Sequence, residues 1–317
     1  MSMLVIPDDI DFAAYMKESD GERKIRDAAD YLDDMIDEVG TPAAIPKGWD
    51  LPWDKMAGMF RFHPGEVTLW GGANGSGKSL ITGMVALELI CKMEKVCIAS
   101  LEMKPKSTLN RMARQWLGSD PLKDAHIPGC VQEIKDFLRQ FQTQARGRLF
   151  LYDQLGQVQS DVMLGVIRYA ASIGIKHFFV DSLMKCVRGT DDYNAQKDFV
   201  NALTAIAKDT GMTIHLVAHT RKLSDEGKKP TKYDISGSGD ITNLVDNALL
   251  FWRNKPKEAD ARAGIGKLTG EPDALLLCCK QRENGDEPEF ALWYHHASKG
   301  YTASPNSAPI YWADRLS

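Results

Sequence analysis

Gly72-Ala73-Asn74-Gly75-Ser76-Gly77-Lys78-Ser79 carries the most specific chemistry in the chain. It fits G-x-x-x-x-G-K-[ST] and lies where such a phosphate-binding loop must lie, after the apolar run Val67–Trp70 and before a helical pattern from Leu80 to Met93. Glycines 72, 75 and 77 let the backbone turn tightly and, with Asn74 and Ser76 between them, aim N–H groups at phosphate oxygens. The start of the following helix adds partial positive charge. Lys78 reaches the β- and γ-phosphates and Ser79 is placed for a metal, so the expected ligands are ATP, or another NTP or dNTP, and Mg²⁺.

Three later apolar runs each end in a group useful to phosphoryl transfer. Val96–Leu101 ends in Glu102, Ile175–Val180 in Asp181, and Ile214–Ala218 in His219. Asp181 has the setting of the Walker-B carboxylate that holds Mg²⁺. Ser182 follows it, so the base that activates water must come from another strand. Glu102 is the candidate base; the plainer alternative is an acid favoured at the start of the helix that Pro105 and Ser107 open. His219 is a candidate contact for the γ-phosphate, beside the plainer alternative of a structural histidine.

Past His219 come Arg221, Lys222, Lys228, Lys229 and Lys232 with few apolar anchors, then Ser236-Gly237-Ser238-Gly239. Cations, hydroxyls and glycine N–H groups together suit a phosphate backbone, and the alternative is a solvated surface loop. Lys280 and Arg282, two apart at the end of another strand-like run, project together and suggest a finger acting on a neighbouring subunit's nucleotide.

These groups need a frame. Strand-like runs near Val67–Gly71, Val96–Leu101, Leu149–Tyr152, His177–Asp181 and Thr213–Ala218 alternate with helical patterns near 79–93, 106–117, 130–145, 159–173 and 195–210. Such alternation predicts an α/β fold with a mostly parallel central sheet flanked by helices. Shorter strands are expected near Ala248–Trp252, Ala274–Lys280 and Glu289–Tyr294, and a loosely ordered tail over 301–317, where Pro305 and Pro309 stand. Residues 1–50 form a leader in which Ile25, Ala28, Leu32, Met35 and Val39 make one apolar helical stripe, packed either on its own domain or in a neighbour's groove.

Net charge is −4, but residues 1–40 hold 12 acidic against 4 basic side chains, leaving +4 for residues 41–317. The body is thus mildly basic, which supports local basic loops and no more. The six cysteines form no C-x-x-C pair, so neither zinc site nor disulfide is expected. No apolar stretch approaches the roughly 20 residues of a membrane span and no signal segment opens the chain, which reads as a cytoplasmic protein.

The ordered set of P-loop, Ser100-Leu101-Glu102-Met103, Asp181, Ala218-His219, Asp234 to Gly239, and Lys280-Gln281-Arg282 with Gly285 resembles the hexameric replicative DNA helicases. Among these DnaB-like proteins it is most similar to the phage primase-helicase and mitochondrial Twinkle branch, where a histidine stands at the position of His219. The resemblance covers about residues 60–300 and implies a RecA-like P-loop NTPase core in a ring, with nucleotide between subunits and single-stranded DNA in the channel. By the same resemblance Glu102 is the base, His219 the γ-phosphate sensor, Lys280 and Arg282 trans-acting cations, and the basic loop with Ser236–Gly239 the DNA contact. The base-stacking aromatic is Tyr294 or His295, and the leader holds the linker helix that joins neighbours.

The implied function is ATP-driven, 5′–3′ unwinding of DNA during replication, with primase, loader or polymerase as separate partners because no primase segment fits the leader. A RecA-type recombinase or mediator filament, or a regulatory ATPase without DNA, uses the same core.

Overall fold

The computed structural model describes residues 48–127, 129–187, 192–221, 227–235, 241–283 and 285–316, together with Leu32 and Ile36. A small antiparallel pair, β1 (Trp49–Asp50) and β2 (Arg61–Phe62), precedes the main sheet. The sheet has nine strands: β3 (Val67–Gly72), β4 (Val96–Ser100), β5 (Leu149–Leu151), β6 (His177–Asp181), β7 (Thr213–Val217), β8 (Asn247–Arg253), β9 (Ala274–Gln281), β10 (Glu289–His295) and β11 (Gly300–Thr302). Their order is β11-β10-β9-β8-β3-β7-β6-β4-β5. The six strands from β8 to β5 run parallel, and β9, β10 and β11 add antiparallel to the β8 edge. The helices are α1 (Lys78–Cys91), α2 (Pro105–Leu117), α3 (Pro121–Asp124), α4 (Cys130–Ala145), α5 (Ser160–Ser172), α6 (Tyr193–Thr210), α7 (Ile241–Leu244) and α8 (Lys255–Arg262).

Strand periodicity divides the core in two. Leu69, Ala99, Phe178, Val180, Ile214 and Leu216 face α5 and α6. Their neighbours Trp70, Ile98, Phe179, Val217, Leu249 and Phe251 face α1 and α2. Because both faces are covered, the central strands read as continuous apolar runs, and that is why they were legible. α1 is apolar almost all round and is buried over nearly its whole length, as a helix passing under a sheet must be.

Two expectations are corrected. β8, β9 and β10, at seven, eight and seven residues, are longer than the five-residue β4, β6 and β7. The segment from Tyr301 onward is packed, not loose. Tyr301 sits in β11, and Trp312 is 1% exposed, donating its indole N–H to Gln115 O at 3.1 Å. Arg315 bridges Glu88 at 3.0 Å and Asp54 at 2.6 Å. One aromatic and one guanidinium thus close the α1–α2 side where proline content alone suggested disorder. Leu32 and Ile36 of the leader are helical and exposed, and Ile25, Ala28, Met35 and Val39 lie outside the described residues.

A histidine pair is sealed inside the sheet. Trp70 Nε1 donates to His215 Nδ1 at 3.3 Å, and His215 Nε2 faces His177 Nδ1 at 3.2 Å. Phe179 stacks on the His215 ring at 4.0 Å and Trp49 meets the His177 ring edge-on at 4.3 Å. Burial pushes His177 down to about 3 and holds His215 well below the ordinary value, with the His177 charge lowering it further. Both rings are therefore neutral when folded, and below about pH 6.5 the unfolded chain binds more protons than the native one.

Stability to urea should then fall as pH drops from about 6.5 toward 3, by at most about 1.4 kcal/mol per pH unit for each histidine. Unfolding curves between pH 7 and 4 test this, and His177→Gln should remove about one histidine's share of the slope; an unchanged slope excludes the pair as its source. Trp312→Ala should cost about 3–5 kcal/mol, read as a lowered urea midpoint, whereas a loose tail predicts no change.

Candidate functional site

Parallel pairing brings four strand ends to one edge. Ser100 pairs with Asp181, Asp181 with Val217, and Trp70 with both Val217 and Leu249, so the turns after β3, β4, β6 and β7 are neighbours. This is the edge at which open α/β sheets bind ligands.

The loop after β3 is shaped by what surrounds it. Gly77 has φ +110°, and a Cβ there would come within 3.0 Å of the Tyr301 hydroxyl and 3.2 Å of the Phe251 ring. A Cβ on Gly72 would meet Phe251 O at 2.7 Å. Glycine is required at Gly72 by closeness to backbone and at Gly77 by its conformation. Lys78, 6% exposed, donates to Gly72 O at 2.8 Å and Ala73 O at 2.9 Å, and its ammonium lies 3.2 Å from His219 Nδ1. Burial lowers Lys78 to about 8, against the opposing pull of Asp181 and Glu102. Burial first, and then the Lys78 charge, lower His219, which stays neutral and accepts at Nδ1.

Ser79 Oγ donates to Asp181 Oδ2 at 2.7 Å. Burial raises Asp181, and the Ser79 bond opposes this. A hydroxyl and a carboxylate oxygen side by side form a hard-oxygen donor pair that fits Mg²⁺. Glu102 Oε1 lies 3.4 Å from Ser182 Oγ and 3.8 Å from His219 Nε2, with its carboxylate half exposed. Ser182, which follows Asp181, thus donates toward the acid that follows β4.

A cavity of about 300 Å³ opens beside the loop, between Asn74 and Ser76, Thr220 and Arg221, and Trp252 and Arg253. Arg253 is a site residue the sequence reading missed. β8 is parallel to β3 and ends at this same edge, so the strand-end rule that found Glu102, Asp181 and His219 applies to it too. Arg253 Nη1 reaches Gly75 O at 3.5 Å and its Nε pairs with Glu258.

Tyr294 and His295 part company. Tyr294 lies on the α1 side, 5.3 Å from the Tyr301 ring that backs Gly77, and burial raises its hydroxyl against the opposing charges of Arg114 and Arg253. His295 is turned into its own hairpin, with Nδ1 2.9 Å from Ser298 Oγ.

The basic loop is pinned at its base. Thr220 N–H donates to Gly72 O at 3.0 Å, Thr220 bridges Ile235, and Arg221 N–H donates to Asp234 O at 2.7 Å. Lys228 is exposed, and Lys229 pairs with Glu289 at 2.9 Å. Lys222 and Ser236, Gly237, Ser238 and Gly239 lie outside the described residues.

Lys280 and Arg282 are not at this edge. β9 runs antiparallel, so Gln281 pairs with Asn247 and, across β8, with Thr68 near the start of β3. That is four residues from Gly72, or about 13 Å along the strand. β9 ends at Gln281, so Arg282 stands just past the strand, yet it reaches the same turn as Lys280. Both are held by the turn before β8, Lys280 by backbone carbonyls and Arg282 by Asp246.

Residues 53–302 match the DnaB-like helicase C terminal domain, and the chain belongs to this family. It is 24% identical over 275 residues to the Twinkle homolog protein, chloroplastic/mitochondrial, of Arabidopsis thaliana, covering 81% of this chain and 37% of that protein. Identity to the DNA helicase/primase of Enterobacteria phage T3 is also 24%, over 271 residues, covering 79% of this chain and 45% of that one. The chain therefore spans less than half the length of both relatives. Among solved structures, the ATPase domain of G40P superposes with TM-score 0.70 at 15% identity, covering 90% of this chain and 99% of that one. A DnaB-like replicative helicase, described with its interactions with primase, gives 0.68 at 14%, covering 88% and 67%. The fold is the RecA-like ATPase core. Among the described residues no helix is long and apolar enough to cross a membrane.

The low Lys78 value predicts how nucleotide binding responds to pH. Free Lys78 deprotonates above about 8, whereas a bound triphosphate raises it, so binding should take up a proton and weaken by up to about tenfold per pH unit above that value. Calorimetric titration of ATP between pH 7 and 9.5, in buffers of different ionisation enthalpy, checks this, and pH-independent affinity would exclude Lys78 as the group.

Proposed function

We propose that this chain is the ATP-hydrolysing motor of a ring-forming DNA helicase, in which one edge of each subunit binds nucleotide and the opposite edge serves the next subunit. The observation that carries this reading is the separation of the two sets. Lys78, Ser79, Glu102, Asp181 and His219 gather at one edge of the sheet, while Lys280 and Arg282 stand at the other. A cation pair there has no route to its own P-loop and suits the nucleotide of a neighbour in a closed, hexameric ring.

In this reading Gly72, Asn74, Gly75, Ser76, Gly77 and Lys78 cradle the triphosphate, and Ser79 and Asp181 hold Mg²⁺, which when bound neutralises phosphate charge. Glu102 accepts a proton from water as the water oxygen bonds to the γ-phosphorus and the bond from that phosphorus to the β–γ bridging oxygen breaks, its electron pair leaving with the diphosphate. His219, between Lys78 and Glu102, senses the γ-phosphate. Tyr294 and Arg253 flank the base, with Tyr294 favoured over His295 by its side of the sheet. Single-stranded DNA lies against Arg221, Lys222, Lys228, Lys229 and Ser236–Gly239. Because Thr220 is bonded to Gly72, that loop and the nucleotide loop share one anchor. The leader helix packs on the next subunit, and primase, loader or polymerase join as separate partners. Movement along DNA is 5′–3′.

ATPase activity should rise when single-stranded DNA is added, and forked duplexes should be separated. Lys78→Ala should abolish both activities, while Glu102→Gln should lower turnover by about 10²–10⁴-fold and leave ATP binding nearly intact. Retained unwinding by the Lys78 variant, or an ATPase indifferent to DNA, defeats the reading; open filaments in electron micrographs in place of rings point to a recombinase-type assembly.

A further inference from the structure

The turn that receives Lys280 and Arg282 is built to hold them. Lys280 Nζ donates to Thr242 O at 3.0 Å, Asn243 O at 2.9 Å and Val245 O at 2.6 Å, filling carbonyls left over at the end of the short helix α7. Arg282 Nη1 donates to Asp246 Oδ1 at 2.8 Å. Glu283, the next residue, turns instead to His63.

Asp246 differs from an ordinary surface partner. Its side chain is 6% exposed against 48% for Arg282, so the carboxylate is fixed while the guanidinium stands at the surface. Its second oxygen, Oδ2, accepts the Val67 N–H at 2.9 Å, and its own N–H donates to Val67 O at 3.0 Å. Asn247 adds bonds to Glu66 Oε2 at 2.8 Å and Thr68 Oγ1 at 3.3 Å. A buried carboxylate is tolerated when its lone pairs are filled, and here one is filled by the P-loop strand and another by the finger.

We propose that Asp246 is a positioning residue for Arg282, holding the guanidinium where it can meet a neighbouring subunit's nucleotide and tying it to the first residue of the strand that ends in its own P-loop. The inference rests on the reading of Arg282 as a trans-acting group. β3 then joins two half-sites, with Val67 bound to the seat of the outgoing finger and Gly72 opening the loop that receives nucleotide. A bridge serving only to staple β8 to β9 would leave the next subunit's chemistry untouched.

Mixed rings separate these roles. Carrier subunits bearing Lys78→Ala hydrolyse nothing, and they are mixed in rising proportion with wild-type subunits at saturating ATP and single-stranded DNA. Three carriers are compared: Lys78→Ala alone, Lys78→Ala with Arg282→Ala, and Lys78→Ala with Asp246→Asn. Activity per wild-type subunit should fall more steeply with the Arg282 carrier than with Lys78→Ala alone, and the Asp246 carrier should follow the Arg282 curve. In homogeneous rings Asp246→Asn should lower kcat roughly tenfold or more with KM little changed, as expected for a contact made in the transition state.

If the Asp246 curve superimposes on Lys78→Ala alone while the Arg282 curve is steep, Asp246 does not position the finger. If the Arg282 curve is also shallow, the trans reading fails and this inference fails with it. Should the Asn variant not enter rings, scored by co-migration on size exclusion, Asp246→Glu replaces it in the carrier. A carboxylate displaced by one methylene misplaces the guanidinium and gives the steep curve, and a shallow one overturns the assignment.

Discussion

The parallel pairing of β3 with β7 on one side and β8 on the other is the constraint on which the rest depends. β3 is buried along its whole length, so its N–H and C=O groups have no water to turn to and must be satisfied by its two neighbours in register. A slip of one residue would exchange Leu69 and Trp70 between two different cores, one under α5 and α6 and the other under α1 and α2. With that register fixed, the turns after β6, β7 and β8 have to arrive beside the P-loop. The ends of β8 and β9 nearest the start of β3 have to arrive at the far edge. The geometry of the candidate site is a consequence of this pairing more than of any contact within the site.

Electrostatics at the near edge follows from burial. Lys78, Asp181 and His219 are all shifted toward their neutral forms by loss of water; the carboxylates of Asp181 and Glu102 partly restore the two bases, the Ser79 hydrogen bond and the Lys78 charge partly restore Asp181, and Lys78 pushes His219 further down. Such mutual restraint keeps opposite charges close without full neutralisation, which suits a site proposed to receive a polyanion and a divalent cation together. The half-exposed Glu102 stands outside this tight group, in a position suited to a base that must meet water.

The histidine pair and the packed chain end are a different kind of feature. Neither touches the proposed chemistry, yet both brace the elements that do: His215 sits on β7, whose end leads to His219, and Trp312 covers α1, whose first turn is Lys78.

The sequence by itself determined the parallel half of this protein. Apolar runs covered on both faces and alternating with helices read plainly, and Gly72–Ser79, Glu102, Asp181 and His219 were found because each follows such a run. Their proximity was inferable because parallel strands end together. Strands beyond β7 were also legible, but how they join the sheet was decided by tertiary structure. A sequence does not say which edge an added strand joins or in which direction, so Arg253 went unnoticed although it ends a strand parallel to β3. The packing of Tyr301 and Trp312 was hidden behind prolines, and only position distinguishes Tyr294 from His295. The seat of Arg282 on Asp246 joins residues 36 apart through an antiparallel ladder, and no local pattern encodes a pairing whose partners meet only after the sheet has closed around them.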